Sequence, residues 1–84
     1  MSLQQPNKNP EFGMGDILLR RYYGRYYINK IIGIDGFYYN LVELYVLKDN
    51  KLISNGPNLI FREIFKEIDN SSELLSDELK AKLL

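Results

Sequence analysis

The tetrapeptide Ile34-Asp35-Gly36-Phe37 constrains this chain more than any other feature. It separates two long runs, GRYYINKIIGI and FYYNLVELYVL, rich in the β-branched and aromatic residues that strands favour. Asp-Gly between such runs fits a two-residue type I′ turn, because both central positions need positive φ. A turn of this kind fixes a register that can be followed outward. Ile34 is then expected opposite Phe37, Ile32 opposite Tyr39, Lys30 opposite Leu41, Ile28 opposite Glu43 and Tyr26 opposite Tyr45. Ile31–Asn40, Asn29–Val42 and Tyr27–Leu44 fall on the other side, and neither face is cleanly polar. Either the ribbon bends so that each half buries a different face, with Gly33 as the bend or bulge site, or another element or a second subunit covers one face. Lys30 and Glu43 lie diagonally on one face, where an exposed pair contributes ~0–1 kcal/mol.

The segments around this hairpin read more simply. GDILLRRYY, after Gly15, is a first strand, with Ile17 and Leu19 on one face and Leu18 on the other. KDNK is a turn, KLIS a short fourth strand, and NGP ends it. In PNLIFREIFKEID, Ile60, Phe61, Ile64, Phe65 and Ile68 recur at helical spacing, which predicts an amphipathic helix over 58–69 with Pro57 in its first turn. A helical turn followed by a final strand is the rival. NSSELLSDELKAKLL predicts a closing helix capped by Asn70, Ser71 or Ser72, with a Leu75, Leu79, Leu83 stripe beside Leu74 and Leu84. Glu73 and Asp77 suit its N-terminal end, and Lys80 and Lys82 its C-terminal end. Residues 1–14 are polar and read as a disordered or vector-derived tail, with Glu11-Phe12 matching a restriction-site remnant and Met14 the native start. The expected organisation is a tail over 1–14, a β-rich domain over 15–69 and a helix over 70–84.

Composition removes several chemistries. At 84 residues, 45% of them apolar, the chain is one folded domain. It has no cysteine, hence no disulfide, thiolate ligand or cysteine nucleophile. It has no histidine, the commonest general base and metal ligand. No serine stands in a recognisable nucleophile motif, and SNGPN lacks phosphate-loop spacing. Glu63 and Glu67, four apart, read as a solvated helix face rather than an acid/base or metal pair. The chain is therefore expected to be no enzyme and to need no cofactor or metal. No apolar run approaches the roughly 20 residues that span a bilayer, and the first dozen residues are polar. A soluble, cytoplasmic protein without membrane contact is the expectation. Net charge is zero, which disfavours nucleic acid, but cations cluster before residue 40 and acids after it.

From Gly15 to about Leu47 the segments GDILLRR, GRYYINKI and IDGFYYNLVEL resemble the start of an SH3-like small barrel, and loosely a Tudor-type domain. In that likeness a glycine–acid pair opens an alternating apolar strand that ends in a basic residue, and a glycine with an aromatic pair leads into the second strand. Asn29 stands where such domains carry a small residue, there is no tryptophan, and the third strand is long. The resemblance implies a binding module, and an aromatic cage for a methylated side chain near Tyr22, Tyr26 and Tyr39.

The expected fold is α+β and β-dominated. It is a small, strongly bent antiparallel sheet or SH3-like barrel of four or five strands, with helix at the C-terminal end. The stretch RRYYGRYY supplies the candidate surface. Its bland reading is structural, because tyrosines build strands and arginines stack across them. Its functional reading is a contact surface of Arg20, Arg21, Tyr22, Tyr23, Arg25, Tyr26, Lys30 and Tyr39, with charge-assisted hydrogen bonds from the cations and flat area from the rings. The partner is expected to be a protein or a second copy of the chain. A nucleic acid, arginine to phosphate and ring to base, is the alternative.

Overall fold

A computed structural model of the chain describes residues 10–49 and 51–83. Five strands and two short helices follow in the order β1 (Ile17–Tyr22), β2 (Arg25–Asp35), β3 (Tyr38–Lys48), β4 (Lys51–Ile64), α1 (Phe65–Ser71), β5 (Ser72–Leu74) and α2 (Asp77–Leu83). They form one antiparallel sheet in the order β4-β3-β2-β1-β5. The first four strands are a meander. The chain then turns through α1 and returns β5 to the free side of β1. The sheet is not closed: β4 and β5 are its two edges.

The central hairpin forms with a shifted turn. Asp35 pairs with Tyr38 and Ile34 with Tyr39, so the two turn residues are Gly36 and Phe37 rather than Asp35 and Gly36. Gly36 has φ 62°, as the first central position of a type II′ turn requires. Two irregularities then carry the ladder away from the expected register. Ile32 is the extra residue between Ile31↔Leu41 and Gly33↔Asn40, and Leu44 is extra between Asn29↔Glu43 and Ile28↔Tyr45. Gly33 marks the first of these, where a Cβ would stand 3.1 Å from Asn40 Nδ2. Glu43 consequently sits opposite Asn29 while Lys30 sits opposite Val42, so the two charges point to opposite faces and do not pair.

Both faces carry a core. On one, Leu18, Ile31, Tyr39 and Leu41 pack with Phe12 and with Phe65 and Ile68 of α1. On the other, Ile17 and Ile28 pack with Leu75, beside Leu19, Leu44 and Tyr45. Phe12 is only 8% exposed, so the segment read as a tail contributes a core ring. Its amide donates to Tyr39 Oη at 3.2 Å. Gly15 N–H donates to Ile31 O and Ile31 N–H to Asp16 O, which ties the same segment to β2. Residues 1–9 lie outside the described residues.

The helical period over 58–69 is overridden up to Ile64. β4 runs without a break from Lys51 to Ile64, so neither KLIS nor NGP ends a strand there. Residues 59–64 pair with β3 from Glu43 to Tyr38. Pairing along β3 satisfies the backbone and lets Phe61 pack on the core. The helix begins where Phe65 N–H reaches Phe37 O, at 2.9 Å, and it buries Phe65 and Ile68. Ser72–Leu74 is strand, not helix, pairing with Arg20, Leu19 and Leu18. α2 starts later, with Ser76 Oγ accepting from Leu79 N–H at 3.2 Å. Leu75 is buried, and Leu79 is partly exposed. The Leu83 side chain and Leu84 lie outside the described residues.

Phe12→Ala should cost about 3 kcal/mol of unfolding free energy, as removal of a buried ring does. Tyr39→Phe should cost about 1–3 kcal/mol by removing the donor to Asp69 in the core. Urea titration followed by circular dichroism reads both; a Phe12→Ala variant as stable as the parent would place the ring outside the core.

Candidate interaction surface

RRYYGRYY builds the turn between β1 and β2. Tyr22 pairs with Arg25, leaving Tyr23 and Gly24 as the turn, with φ 49° and 75°. Positive φ at both positions is the type I′ requirement. Glycine meets it without strain, whereas a tyrosine there is strained. Tyr23 is 88% exposed, and its ring meets that of Tyr22 edge-on at 4.5 Å.

Strand alternation divides the motif between the two faces. Arg20 and Tyr22 lie with Tyr27 on the face that carries Phe12 and α1; Arg21 lies with Leu19 and Tyr26 on the other. Arg20 is 8% exposed and is no surface contact. Its guanidinium stacks 4.6 Å from the Tyr22 ring centroid and 5.2 Å from that of Phe61. These residues line a cleft of about 490 Å³ with Tyr27, Glu43 and Leu59. Burial pushes the Glu43 carboxyl above its ordinary value, an effect that the Arg20 charge partly offsets. Asn29, opposite Glu43 on this face, is fully buried, and its amide meets no hydrogen-bond partner among the described residues.

The three tyrosines expected to form a cage do not converge. Tyr22 and Tyr26 point to opposite faces, and Tyr39 is buried in the core. The rings that do converge, Tyr22 and Phe61, enclose the chain's own Arg20. Lys30 is exposed but lies four residues along β2 from Tyr26, roughly 13 Å at the rise of a strand.

Arg21, Tyr22, Tyr23, Arg25 and Tyr26 remain at the surface. The sheet register adds two cations that the sequence reading missed. Tyr26 pairs with Leu47 and Lys48 with Lys51, so the β3–β4 turn stands beside the β1–β2 turn. Gly24, Arg25, Tyr26, Leu47, Lys48 and Asp49 line one cleft between them, of about 370 Å³. Exposed Arg21, Arg25, Lys48 and Lys51 thus lie at the same end of the strands as Tyr23, with Asp49 in the β3–β4 turn and Glu73 lining a cleft with Arg21 and Tyr23. The only sequence signal for this was the register of two hairpins, which fixes which turns are neighbours. At the other end, Asp35 pairs with Arg62 at 3.4 Å. An apolar groove of about 410 Å³ lies on the second face, lined by Leu19, Tyr26, Ile28, Leu47, Leu52 and Leu75 among others.

Among the described residues no group of three or more Asp, Glu, His or Cys could hold a metal ion, and no helix is long and apolar enough to cross a membrane. No family model, curated protein or solved structure matches the chain.

The raised Glu43 carboxyl makes a signed prediction. A carboxyl whose pKa is higher folded than unfolded holds its proton more tightly in the folded chain, so its contribution falls as pH rises from 4.5 towards the raised value. Glu43→Gln should remove that fall. Thermal unfolding across pH should show the variant gaining on the parent above pH 4.5 and losing that gain below it.

Proposed function

We propose that this chain is a non-catalytic, SH3-like interaction module that binds an acidic segment of a protein partner through the paired β1–β2 and β3–β4 turns. One observation carries the reading: two turns distant in sequence bring four exposed cations to the end of the strands where Tyr23 is held outward on a strained backbone. Strain at an exposed aromatic residue suits recognition, because packing gives no return for it there. Arginines and lysines would meet carboxylates or phosphates, and the ring would supply contact area. The SH3-like reading draws support from the meander of four strands, the helical turn after it and the final strand that returns to β1.

A nucleic-acid reading rests on the same end, since an exposed ring flanked by cations suits a base stacked beside its phosphates. Zero net charge weighs against it. Fluorescence anisotropy with a labelled glutamate-rich peptide and a labelled single-stranded DNA, at low and moderate salt, separates the two. The peptide should bind, and Tyr23→Ala and Arg25→Ala should each weaken it about tenfold. Single-stranded DNA held by all four cations would instead give a slope of about −3 in log affinity against log salt. If Arg21, Arg25, Lys48 and Lys51 are all replaced by alanine, the chain stays folded and peptide affinity is unchanged, the surface is wrong.

A further inference from the structure

We propose that the chain forms a two-fold dimer in which the outer edges of two β4 strands pair antiparallel, Leu52 against Ile60 and Ile53 against Leu59 of the second copy. This goes beyond the binding surface above, and Lys51, at one end of β4, is the residue the two share.

β4 is an edge strand of 14 residues. It pairs with β3 on one side, and no strand among the described residues pairs with the other. Such an edge is a template for another strand. Four of its apolar side chains are exposed: Leu52 at 38%, Ile53 at 45%, Leu59 at 57% and Ile60 at 65%. A protein edge that is to stay single usually carries charge at such positions.

The arrangement of these four points to a second copy rather than to an unrelated strand. Leu52 is paired through Leu47 to Tyr26, and Ile60 through Val42 to Lys30, which places both on the face of Tyr26 and Lys30. Ile53 is paired through Val46 to Tyr27, and Leu59 through Glu43 to Asn29, which places both on the opposite face. Antiparallel edges in a continuous sheet are related by a dyad normal to the sheet, so each face of one copy continues into the same face of the other. Only registers that match faces are allowed. The one centred between Ile53 and Leu59 sets each of these four apolar residues opposite another on its own face, and symmetry repeats each contact. A shift of two residues would set Leu52 against Arg62 and Ser54 against Ile60. Charges agree with the same register. Lys51 falls diagonal to Glu63 of the second copy on a shared face, about 7–8 Å away in the backbone and within reach of a lysine. The step from Ser54 to Leu59 opposite Tyr45 to Glu43 sits at the dyad, between the two apolar pairs.

Sedimentation equilibrium of the full chain from about 10 µM to about 500 µM tests this. The expected mass rises towards twice the 9.9 kDa chain. Ile60→Lys, at a site 65% exposed and so tolerant of substitution, should weaken the dimer at least about tenfold. The chain has no cysteine, so an Ile53→Cys/Leu59→Cys double variant adds a clean register probe. Opposed Cα atoms stand about 4.5–5.5 Å apart, inside the range a disulfide accepts. The double variant should form a covalent dimer on a non-reducing gel, and each single variant should not. A mass that stays at 9.9 kDa, a dimer that Ile60→Lys leaves intact, or a dimer without the cross-link would each overturn the proposal. Tyr23→Ala and Arg25→Ala should leave the dimer unchanged, so failure here and failure of the binding surface are read separately.

Discussion

The hydroxyl of Tyr39 holds the first core together. It donates to Asp69 Oδ1 at 2.6 Å and accepts from the Phe12 amide, so one buried group joins β3, α1 and the segment before β1. Burial first, and the hydrogen bond to Asp69 second, push its pKa far up, which keeps the hydroxyl protonated and donating. The ring packs 4.7 Å from Phe65 and 6.4 Å from Phe12. With Tyr39 turned inward and opposite Ile34, the hairpin closes at Gly36 and Phe37. Phe37 O is then placed to receive Phe65 N–H, where β4 ends and α1 begins. Turn, register and helix start all agree with that one placement.

The two irregularities in the β2–β3 ladder explain why neither face of the hairpin looks polar in sequence. Each adds a residue on one strand and exchanges the faces of the residues beyond it. One core is covered by Phe12 and α1, the other by Leu75. The polar consequence is the cluster of Arg20, Asn29 and Glu43 on the first face, where a guanidinium stacked between Tyr22 and Phe61 does the packing that an apolar residue would otherwise do. Arginine suits this place because its planar, weakly hydrated head stacks on rings.

Neutral overall charge conceals an uneven surface. The cations of two turns stand at one end of the strands, while at the other Asp35 is paired with Arg62, beside Glu63. An acidic partner would be attracted to the first end, and an antiparallel second copy would bring the two ends alongside each other. Both proposals thus draw on the same separation of charge, while the residues that decide them, Tyr23 and Arg25 in one case and Leu52, Ile53, Leu59 and Ile60 in the other, do not overlap.

Local chemistry alone determined a good part of this molecule. Alternating and β-branched runs gave the strands, and Asp-Gly located the central hairpin, because these preferences act within a few residues. The helical period survived only in Phe65 and Ile68, and the candidate surface was legible in Arg21, Tyr23 and Arg25. Tertiary structure decided the rest. Residues 59–64 became strand because β3 offered them partners, which a period within one segment does not register. Phe12 joined the core because Tyr39 and Asp69, 27 and 57 residues further on, met it there. Arg20 and Tyr39 left the surface, and Lys48 and Lys51 joined it, because a side chain's face and neighbours are set by register. Register is a balance among whole strands, and a single added residue, Ile32 or Leu44, reverses it.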